Sequence, residues 1–478
     1  MKIIIPTALF HFLKITLDLN DIINTIGNTV YNIYKILGGY KLKSIWTDSV
    51  KSPSFKKLKG QINTDVLIIG GGLCGILCAY FLKQQGIDYV LIEGDTIGSG
   101  ITKNTTAKIT SQHGLIYDKL IRSVGQEKAK MYLDANQLAL SKYRELCKNI
   151  DCDFQDKNAY TYTLTDIRKI EKEVNAVKSL GFNCDFIDKI TLPFDIKGAI
   201  KFENQAQFNP MKFIYEISKD LNIYENSFVK DIGLDDHIAL TNDAVITAKN
   251  FIVTTHFPFI NTHGSYFLKM YQHRSYAIAL ENAQNVNGMF VDEAQNGMSF
   301  RNYENLLIVG GGDHRTGKSG GNYTELRQFA QKYYSSSVEK YNWATQDCMS
   351  LDGIPYIGHY SKSTANLFVA SGFNKWGMSS SMVSAIILSD MVVGKTNEFQ
   401  EVFSPHRSML KLQLLVNGFE AVTNLLTISK KRCPHMGCTL KWNGTEFSWD
   451  CPCHGSRFDE HGNLIDNPST GSCKSLRK

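Results

Sequence analysis

The run Thr64-Asp65-Val66-Leu67-Ile68-Ile69 passes directly into Gly70-Gly71-Gly72-Leu73-Cys74-Gly75. Its apolar, β-branched residues are typical of a buried parallel strand. The glycines at positions 70, 72 and 75 have the spacing G-x-G-x-x-G, which lets a backbone turn tightly and approach a phosphate closely. The stretch therefore predicts the first strand and turn of a βαβ unit.

The residues that follow fit the same unit. We predict a helix over residues 76–85, closed by Gly86, and a second strand over residues 87–92 that ends at Glu93. In such units the helix N-terminus holds a pyrophosphate, and an acid about 20 residues further on bonds the ribose hydroxyls. Strand, helix, strand and acid in register therefore indicate a dinucleotide site.

Two short motifs near the C-terminus pair cysteine with histidine. Cys433 and His435 have the spacing C-x-H, and Cys451 and His454 have the spacing C-x-x-H. A Rieske [2Fe–2S] cluster binds one iron through two thiolates and the other through two imidazoles, so it needs one such pair from each of two loops. The two motifs together predict a Rieske site.

The segment resembles the Rieske proteins of respiratory cytochrome complexes, because it also contains C-P-C-H-G-S-x-F with a second cysteine in each loop. The resemblance implies that the cluster ligands are Cys433, His435, Cys451 and His454. It also implies that Cys438 and Cys453 form a disulfide that clamps the two loops together.

Two further positions bear on the reduction potential. By the same resemblance, Ser456 donates a hydrogen bond to a cluster sulfur. Phe458 stands where many high-potential members have a tyrosine, so we expect a lower potential here. The alternative to a cluster is a tetrahedral zinc site, since short-spaced Cys/His pairs also bind zinc. Zinc protein would be colourless, whereas a Rieske centre is coloured.

A glycine-rich segment after the acid, Glu93-Gly94-Asp95-Thr96-Ile97-Gly98-Ser99-Gly100-Ile101-Thr102, resembles the FAD-dependent oxidoreductases of the glycine/D-amino-acid oxidase family. Residues 248–255, 349–358, 367–372 and 376–379 continue the resemblance, which spans residues 43–405. It implies FAD, and these cofactor-binding residues: Gly70, Gly72, Gly75, Glu93, Gly98, Gly100, Thr102, Val229, Asp352, Gly353, Gly372, Gly377 and Met378.

The resemblances together imply an α/β fold class. We expect a Rossmann-like FAD-binding domain with an inserted α+β substrate domain that roofs the flavin, and a small β-rich Rieske unit after it. The domain boundaries we predict are a helical N-terminal extension (1–42), the oxidoreductase (43–405), a helical linker (406–431) and a minimal Rieske unit (432–478).

This pair of cofactors, with the signature at residues 104–114, resembles bacterial FAD-dependent oxidoreductases that carry a Rieske domain. We predict a dehydrogenase of a small amine or amino-acid-like substrate that passes electrons from flavin to the cluster and then to an unidentified acceptor. The alternative is an electron-transfer module or redox sensor without an organic substrate. His113, His256 and Arg274 are the candidate catalytic residues, because Arg suits a carboxylate and His can assist proton removal.

One motif points elsewhere. Residues 312–319 match the P-loop pattern G-x-x-x-x-G-K-[ST] and follow a strand-like run at residues 306–309. A P-loop requires its helix to begin at the Lys-Ser step. Here Gly320 and Gly321 intervene, and glycine is a poor helix former by about 1 kcal/mol. We therefore expect the next helix near residues 324–334 and no nucleotide triphosphatase.

The composition is ordinary for a globular protein, with 43% apolar and 21% charged residues in 478. A net charge of +6 without long basic runs gives no indication of a nucleic-acid partner. Eleven cysteines without a secretory pattern favour a cytoplasmic location. The apolar residues 3–13 are too few to span a bilayer, so any membrane contact of this N-terminal extension is expected to be peripheral at most.

Overall fold

The computed structural model describes residues 43–476, so the predicted helical extension at residues 1–42 lies outside the described part. The helices are α1 (Ile45–Asp48), α2 (Leu73–Gln84), α3 (Tyr117–Val124), α4 (Gln126–Cys147), α5 (Ile167–Ser179), α6 (Pro210–Ile217), α7 (Tyr266–Lys269), α8 (Asn322–Tyr333), α9 (Gly377–Val392), α10 (Gln400–Phe403) and α11 (Leu412–Leu426).

The strands of the described residues form three sheets. In chain order they are β1 (Gly60–Ile69), β2 (Tyr89–Ile92), β3 (Lys108–Ile109), β4 (Gln155–Thr163), β5 (Asp185–Ile187), β6 (Gly198–Gln207), β7 (Ile223–Tyr224), β8 (Asp231–Gly233), β9 (Ile238–Leu240), β10 (Ala244–Val253), β11 (Met270–Glu281), β12 (Met289–Asp292), β13 (Ser299–Tyr303), β14 (Leu306–Arg315), β15 (Val338–Ser350), β16 (Tyr356–His359), β17 (Leu367–Ser371), β18 (Lys441–Asn443), β19 (Ser448–Asp450), β20 (Arg457–Phe458) and β21 (Leu464–Asp466).

The first sheet is the nucleotide-binding layer, in the order β16-β17-β10-β1-β2-β7. From β17 to β7 its strands are parallel, so the carboxyl ends of β1, β10 and β17 meet at one edge. The helices α2 and α9 pack against each other and begin at this edge. Serines 379, 380, 381 and 384 are buried in α9, and their small side chains allow close packing.

The second sheet forms the roof, in the order β15-β11-β14-β13-β12-β4-β6-β3. Its strands β11, β14 and β15 are long, antiparallel neighbours, with β11 in the middle. The third sheet, β18-β19-β20-β21, is small and antiparallel. The predicted fold class is thus confirmed, with a mixed α/β body and a small β-rich unit at the C-terminus.

The competing P-loop interpretation does not fit the strand and helix bounds. β14 continues through Arg315, and α8 begins only at Asn322, after both glycines. Gly317 has a φ of +75°, and a Cβ there would lie 2.7 Å from the backbone nitrogen of Pro452. The glycine is therefore required for close approach of the C-terminal unit (residues 432–476). Among the described residues, the helices are each too short or too polar to cross a bilayer.

A buried ion network attaches the C-terminal unit to the roof. Glu446 accepts hydrogen bonds from Arg274 of β11, including one of 3.0 Å from Nε, and forms an ion pair of 2.8 Å with Arg457. These three side chains are 3–7% exposed. Burial opposes ionisation of Glu446, but the guanidinium groups of Arg274 and Arg457 outweigh it and lower its pKa to about 2.

Backbone recognition adds to this attachment. Gln272 Nε2 donates to the carbonyl of His454 at 2.8 Å, and Gln346 Nε2 donates to that of Gly455 at 2.9 Å. Arg315 Nε donates to the carbonyl of Pro452 at 3.1 Å. The roof thus holds the backbone of the second cysteine–histidine loop directly.

We predict that Glu446→Gln weakens this attachment, because it leaves the Arg274 guanidinium buried without its charge partner. Removing one member of a buried pair costs about 3–5 kcal/mol. Denaturant unfolding monitored by near-ultraviolet circular dichroism and limited proteolysis between residues 405 and 432 would detect it. Glu460→Gln is the matched control, since Glu460 is exposed; equal stability of the two variants would contradict the prediction.

The same contact has a defined pH dependence. The folded-state pKa of Glu446 is lowered below its ordinary value of 4.5, so its stabilisation is complete above about pH 4.5 and is lost as the pH falls towards 2. Acid unfolding of Glu446→Gln should therefore be less steep than that of the parent protein over this range.

Candidate functional site

The turn between β1 and α2 is a cradle that only glycine can form. Gly70 has a φ of +114°, and a Cβ there would lie 2.8 Å from the carbonyl oxygen of Thr254. A Cβ at Gly75 would overlap the carbonyl oxygen of Gly70. Gly72 caps α2, and the amide of Leu73 donates to Thr102 Oγ1 at 3.1 Å. The arrangement places a helix N-terminus where a pyrophosphate would bind.

Glu93 stands beside this cradle at the end of β2. Its carboxylate accepts from the amides of Gly71, at 2.6 Å, and Asp95, at 2.9 Å. Burial raises the pKa of Glu93, although these amide bonds oppose the rise. Gly98 packs against Met211 of α6, while a Cβ at Gly100 would meet no atom within 4 Å. The cradle therefore opens towards Gly100.

Several of the predicted cofactor-binding residues, from Asp352 onwards in the chain, lie around the start of α9. Asp352 forms a two-bond ion pair with Arg407, at 2.7 and 3.0 Å, which holds the turn at Gly353. Gly372 has a φ of +72°, and Gly377 opens α9, where a Cβ would meet only Phe373 at 3.9 Å. Met378 directly follows in α9, whereas Val229 lies buried beside the Glu93 end of the sheet.

A cavity of about 290 Å³ borders this region. It is lined by His113, Leu115, Ile116, Lys119, Tyr271, Met349, Ser350, Leu351, Gly353, Asn374, Trp376 and Gln413. Asn374 and Lys375 both have left-handed backbones, with φ of 51° and 72°. Two successive non-glycine residues in this conformation are strained, as is common at functional sites.

His113 is the one predicted catalytic candidate that lines the cavity. Its Nδ1 lies 2.6 Å from the Tyr132 hydroxyl, and its Nε2 lies 2.9 Å from Ser379 Oγ. The imidazole stacks on Trp376 with ring centroids 4.8 Å apart. Burial lowers the pKa of His113 to about 3. Both nitrogens of the imidazole are thus engaged, and a catalytic role for His113 stays a prediction.

The other two candidates lie on the opposite side of the roof. Arg274 is committed to Glu446 of the C-terminal unit, as described above. His256 is also next to that unit, since its neighbours include Gln272 and Asp466. Burial lowers the pKa of His256 to about 4. The structure therefore does not bring these two residues to the cavity with His113.

A ladder of polar residues extends from the cavity along the roof. In the β11–β15 pairing, Tyr271 faces Met349, His273 faces Asp347, and Ser275 faces Thr345. Tyr271 and Met349 line the cavity, so alternate residues along both strands continue the same face. His273 Nδ1, Ser275 Oγ and Thr345 Oγ1 are buried without a partner among the described residues. Such a row of unsatisfied groups is typical of a binding site.

Asp347 is the charged member of this ladder. It accepts no hydrogen bond from any residue that the structure describes, whereas nearby Lys375 is paired with Asp313. Burial raises the pKa of Asp347 to about 6, although the positive charge of Lys375 opposes the rise. Burial, with Lys375 alongside, also lowers the pKa of His273 to about 3. Two carboxylates, those of Asp347 and Asp313, therefore lie close to the ammonium of Lys375.

Sequence reasoning missed His273, Asp347 and Lys375. The available signal was the polar run 271–275 of β11, since a strand with polar residues on both faces must meet a polar partner on each side. The polar run alone could not show that β11 pairs with β15, which lies about 70 residues further along the chain.

The four residues predicted to bind the cluster lie together in the C-terminal unit. The thiols of Cys433 and Cys451 are buried and hydrogen-bonded to each other. The rings of His435 and His454 lie with centroids 5.0 Å apart, nearly perpendicular. Burial lowers the pKa of His435 to about 4 and that of His454 to about 3. Both imidazoles are therefore neutral, which ligation requires.

The remaining two cysteines of these loops serve differently. Cys438 and Cys453 are joined by a disulfide, so they cannot act as thiolate ligands even though they lie close to Cys451. Ser456 hydrogen bonds to Cys433 and accepts from the amide of Ser469 at 3.0 Å. Phe458 is fully buried beneath the cysteines.

These residues fit the two cofactors. Nδ1 of His435 and Nδ1 of His454 are buried without a partner among the described residues, next to two thiols, as a two-thiolate, two-imidazole cluster requires. The disulfide removes Cys438 and Cys453 from the possible ligands, which leaves two thiols and two imidazoles. The glycine cradle, the open space at Gly100 and Gly377, and the unsatisfied ladder fit a dinucleotide whose ring system ends under the roof.

Comparison with known proteins agrees with this assignment. Residues 65–391 match the DAO family model, FAD dependent oxidoreductase, and residues 390–477 match the Rieske [2Fe-2S] domain. The chain is 33% identical to YhfW of Bacillus subtilis (strain 168), a protein named for a Rieske 2Fe-2S centre, over 91% of this chain and 97% of that one. A 37-residue stretch, 8% of this chain, is 46% identical to 21% of the cytochrome b6-f complex iron-sulfur subunit of Trichodesmium erythraeum (strain IMS101).

Solved structures of similar fold cover the body of the chain. Glycine oxidase from Geobacillus kaustophilus superposes with a TM-score of 0.62 at 18% identity, covering 73% of this chain and all of that one. L-proline dehydrogenase from P. horikoshii gives 0.61 at 15% identity, covering 73% and 98%. At these identities the likeness concerns the fold. With its two domain matches and its full-length relative, the chain belongs to the DAO family of FAD-dependent oxidoreductases and carries a C-terminal Rieske [2Fe–2S] domain.

Proposed function

We propose that this protein oxidises a small amine at FAD and passes the electrons singly to its own Rieske cluster. The observation that carries the proposal is the alternation along β11. Tyr271 lines the cavity, whereas the next residue, Gln272, holds the carbonyl of the cluster residue His454 at 2.8 Å. One sheet layer thus separates the proposed oxidation site from the cluster loops.

The cofactor pair favours a dehydrogenase. When bound, FAD accepts a hydride equivalent and the cluster accepts single electrons. Histidine ligation gives the cluster a higher potential than four-cysteine clusters have. The attachment of the C-terminal unit to β11 and β15 supports a relay within one chain, and an external one-electron acceptor would complete the cycle.

The charge of the ladder supports an amine as substrate. Asp347 is half-buried, its carboxylate lacks a partner among the described residues, and it lies on the face of the sheet that continues to the cavity. Its carboxylate would bind the ammonium of an amine and take up its proton. Neutral His273 and the Ser275 hydroxyl would bond other polar groups of the substrate. Several proteins of similar fold are named for amino-acid substrates, including glycine and L-proline.

The test is an anaerobic screen of small amines and amino acids that monitors flavin bleaching, followed by electron paramagnetic resonance of the cluster. We expect an amine to bleach the flavin and then to reduce the cluster. A bleached flavin beside a cluster that stays oxidised would contradict the relay. Bleaching by NAD(P)H alone would favour the electron-transfer module instead.

Asp347→Asn tests the amine site. Loss of a charged hydrogen bond is worth about 1.5–3 kcal/mol, so the amine concentration for half-maximal bleaching should rise about 10- to 100-fold. The flavin spectrum should be retained. Asp188→Asn, at an exposed position, is the matched control, and an unchanged amine dependence in Asp347→Asn would exclude this role.

The pH profile gives an independent reading of Asp347. Because its pKa is raised to about 6, the carboxylate that binds a cation forms only as the pH rises through 6. Amine affinity should therefore fall about tenfold per pH unit below 6 in the parent protein. This step should be absent from Asp347→Asn.

Cys451→Ser tests the relay itself. We expect loss of the cluster signal, unchanged flavin bleaching by the amine, and at least tenfold slower reduction of cytochrome c, which is too large to enter the cavity. Cys473→Ser is the matched control, because Cys473 is a buried free cysteine of the same unit. Equal cytochrome c reduction by both variants would show that electrons leave the flavin by another route.

A further inference from the structure

The helix α11, between the oxidoreductase body and the Rieske unit, has its polarity reversed. Its buried residues are Asn417 and Asn424. Its outer face exposes Leu412 (83%), Leu415 (71%), Phe419 (71%) and Leu426 (77%), together with Val416, Val422 and Leu425. A helix on a protein surface ordinarily buries its apolar face and exposes its polar one. The outer face of α11 would therefore be stabilised by contact with an apolar environment.

Polar contacts fix this orientation. Asn417 donates to the carbonyl of Leu268 at 3.3 Å and accepts from Arg315 at 3.1 Å. Glu420 forms an ion pair of 2.8 Å with Lys318 of the body. At the other end, the carbonyl of Asn424 accepts from the amide of Thr439 at 3.0 Å. Rotation of the helix to bury its leucines would break all these bonds.

The charges around the apolar face are positive. Over residues 411–432 the only acid is Glu420, which is engaged with Lys318. Lys411 precedes the helix, and Lys430 and Lys431 follow it, the latter two exposed. An apolar stripe flanked by lysines is complementary to anionic lipid, with its leucines in the acyl region and its ammonium groups among the headgroups.

We propose that α11 is a membrane-surface helix that seats the protein on an anionic lipid bilayer. The Rieske loop lies close to this face, because a Cβ at Gly437 would lie 3.9 Å from Leu425, and the neighbouring Met436 is 40% exposed. Docking through α11 therefore brings the His435 loop near the lipid surface. The proposal concerns an interaction surface and does not depend on the identity of the substrate. The membrane contact proposed here is thus made by α11, whereas the sequence suggested at most a peripheral contact by the N-terminal extension.

The test is sedimentation of the full-length holoprotein with vesicles of phosphatidylglycerol and phosphatidylcholine. We expect binding to the anionic vesicles, at least tenfold weaker binding to pure phosphatidylcholine, and at least tenfold weaker binding by Leu415→Glu/Phe419→Glu. Leu164→Glu/Val338→Glu is the matched control, since it adds the same charge at exposed apolar positions elsewhere. Flavin absorbance and iron content would establish that both variants are folded. Absence of vesicle binding by the parent protein, or equal loss in both double variants, overturns the proposal.

A labelled variant distinguishes the other occupants of this face. Val422→Cys, at a position 56% exposed, would carry an environment-sensitive fluorophore, and the labelled parent protein would give the background from native cysteines. A blue shift only with anionic vesicles supports the proposal. A blue-shifted signal without vesicles at every protein concentration would assign the face to residues 1–42 of the same chain. A shift that grows with protein concentration would assign it to a second copy, and either result overturns membrane docking.

Discussion

The structure depends on the alternation of side chains in the β11–β15 pair. A strand sends successive side chains to opposite faces. Tyr271 lines the cavity and shares its face of β11 with His273 and Ser275, while Gln272 and Arg274 face the Rieske unit. Neither face can slip by one residue without exchanging its whole set of contacts. The pairing register therefore positions the cavity and the cluster loops relative to each other.

The second constraint is the small size of the Rieske unit. Its apolar core consists largely of the two predicted ligand cysteines, the disulfide pair and Cys473, with Leu440, Phe458 and Leu476. The strands of its sheet have two or three residues each. So small a core supplies little stability by itself, and cluster ligation, the disulfide and the Glu446 network supply the rest. This explains why the roof bonds directly to backbone carbonyls of the cluster loop.

Features formed by residues close together in the sequence could be predicted. Features that depend on contacts between distant segments of the chain could not. The glycine cradle and Glu93 are consecutive along one βαβ unit, so their spacing was sufficient. Arg274 was expected to bind substrate, but its partner Glu446 is 172 residues away. Asp347 gave no signal of its own, since its role depends on the partner strand. The reversed polarity of α11 was likewise hidden, because a helical pattern shows which residues share a face but not which face is buried.

Arg274 also links docking to the charge of the cavity. It donates hydrogen bonds to Glu446 on one side of β11. Its positive charge also acts across the strand and favours the ionised form of Asp347. While Glu446 is in place, it neutralises much of that charge. Burial and Lys375 affect the pKa of Asp347 more than Arg274 does. Arg274 is nevertheless the residue of β11 that both bonds the Rieske unit and acts electrostatically on Asp347.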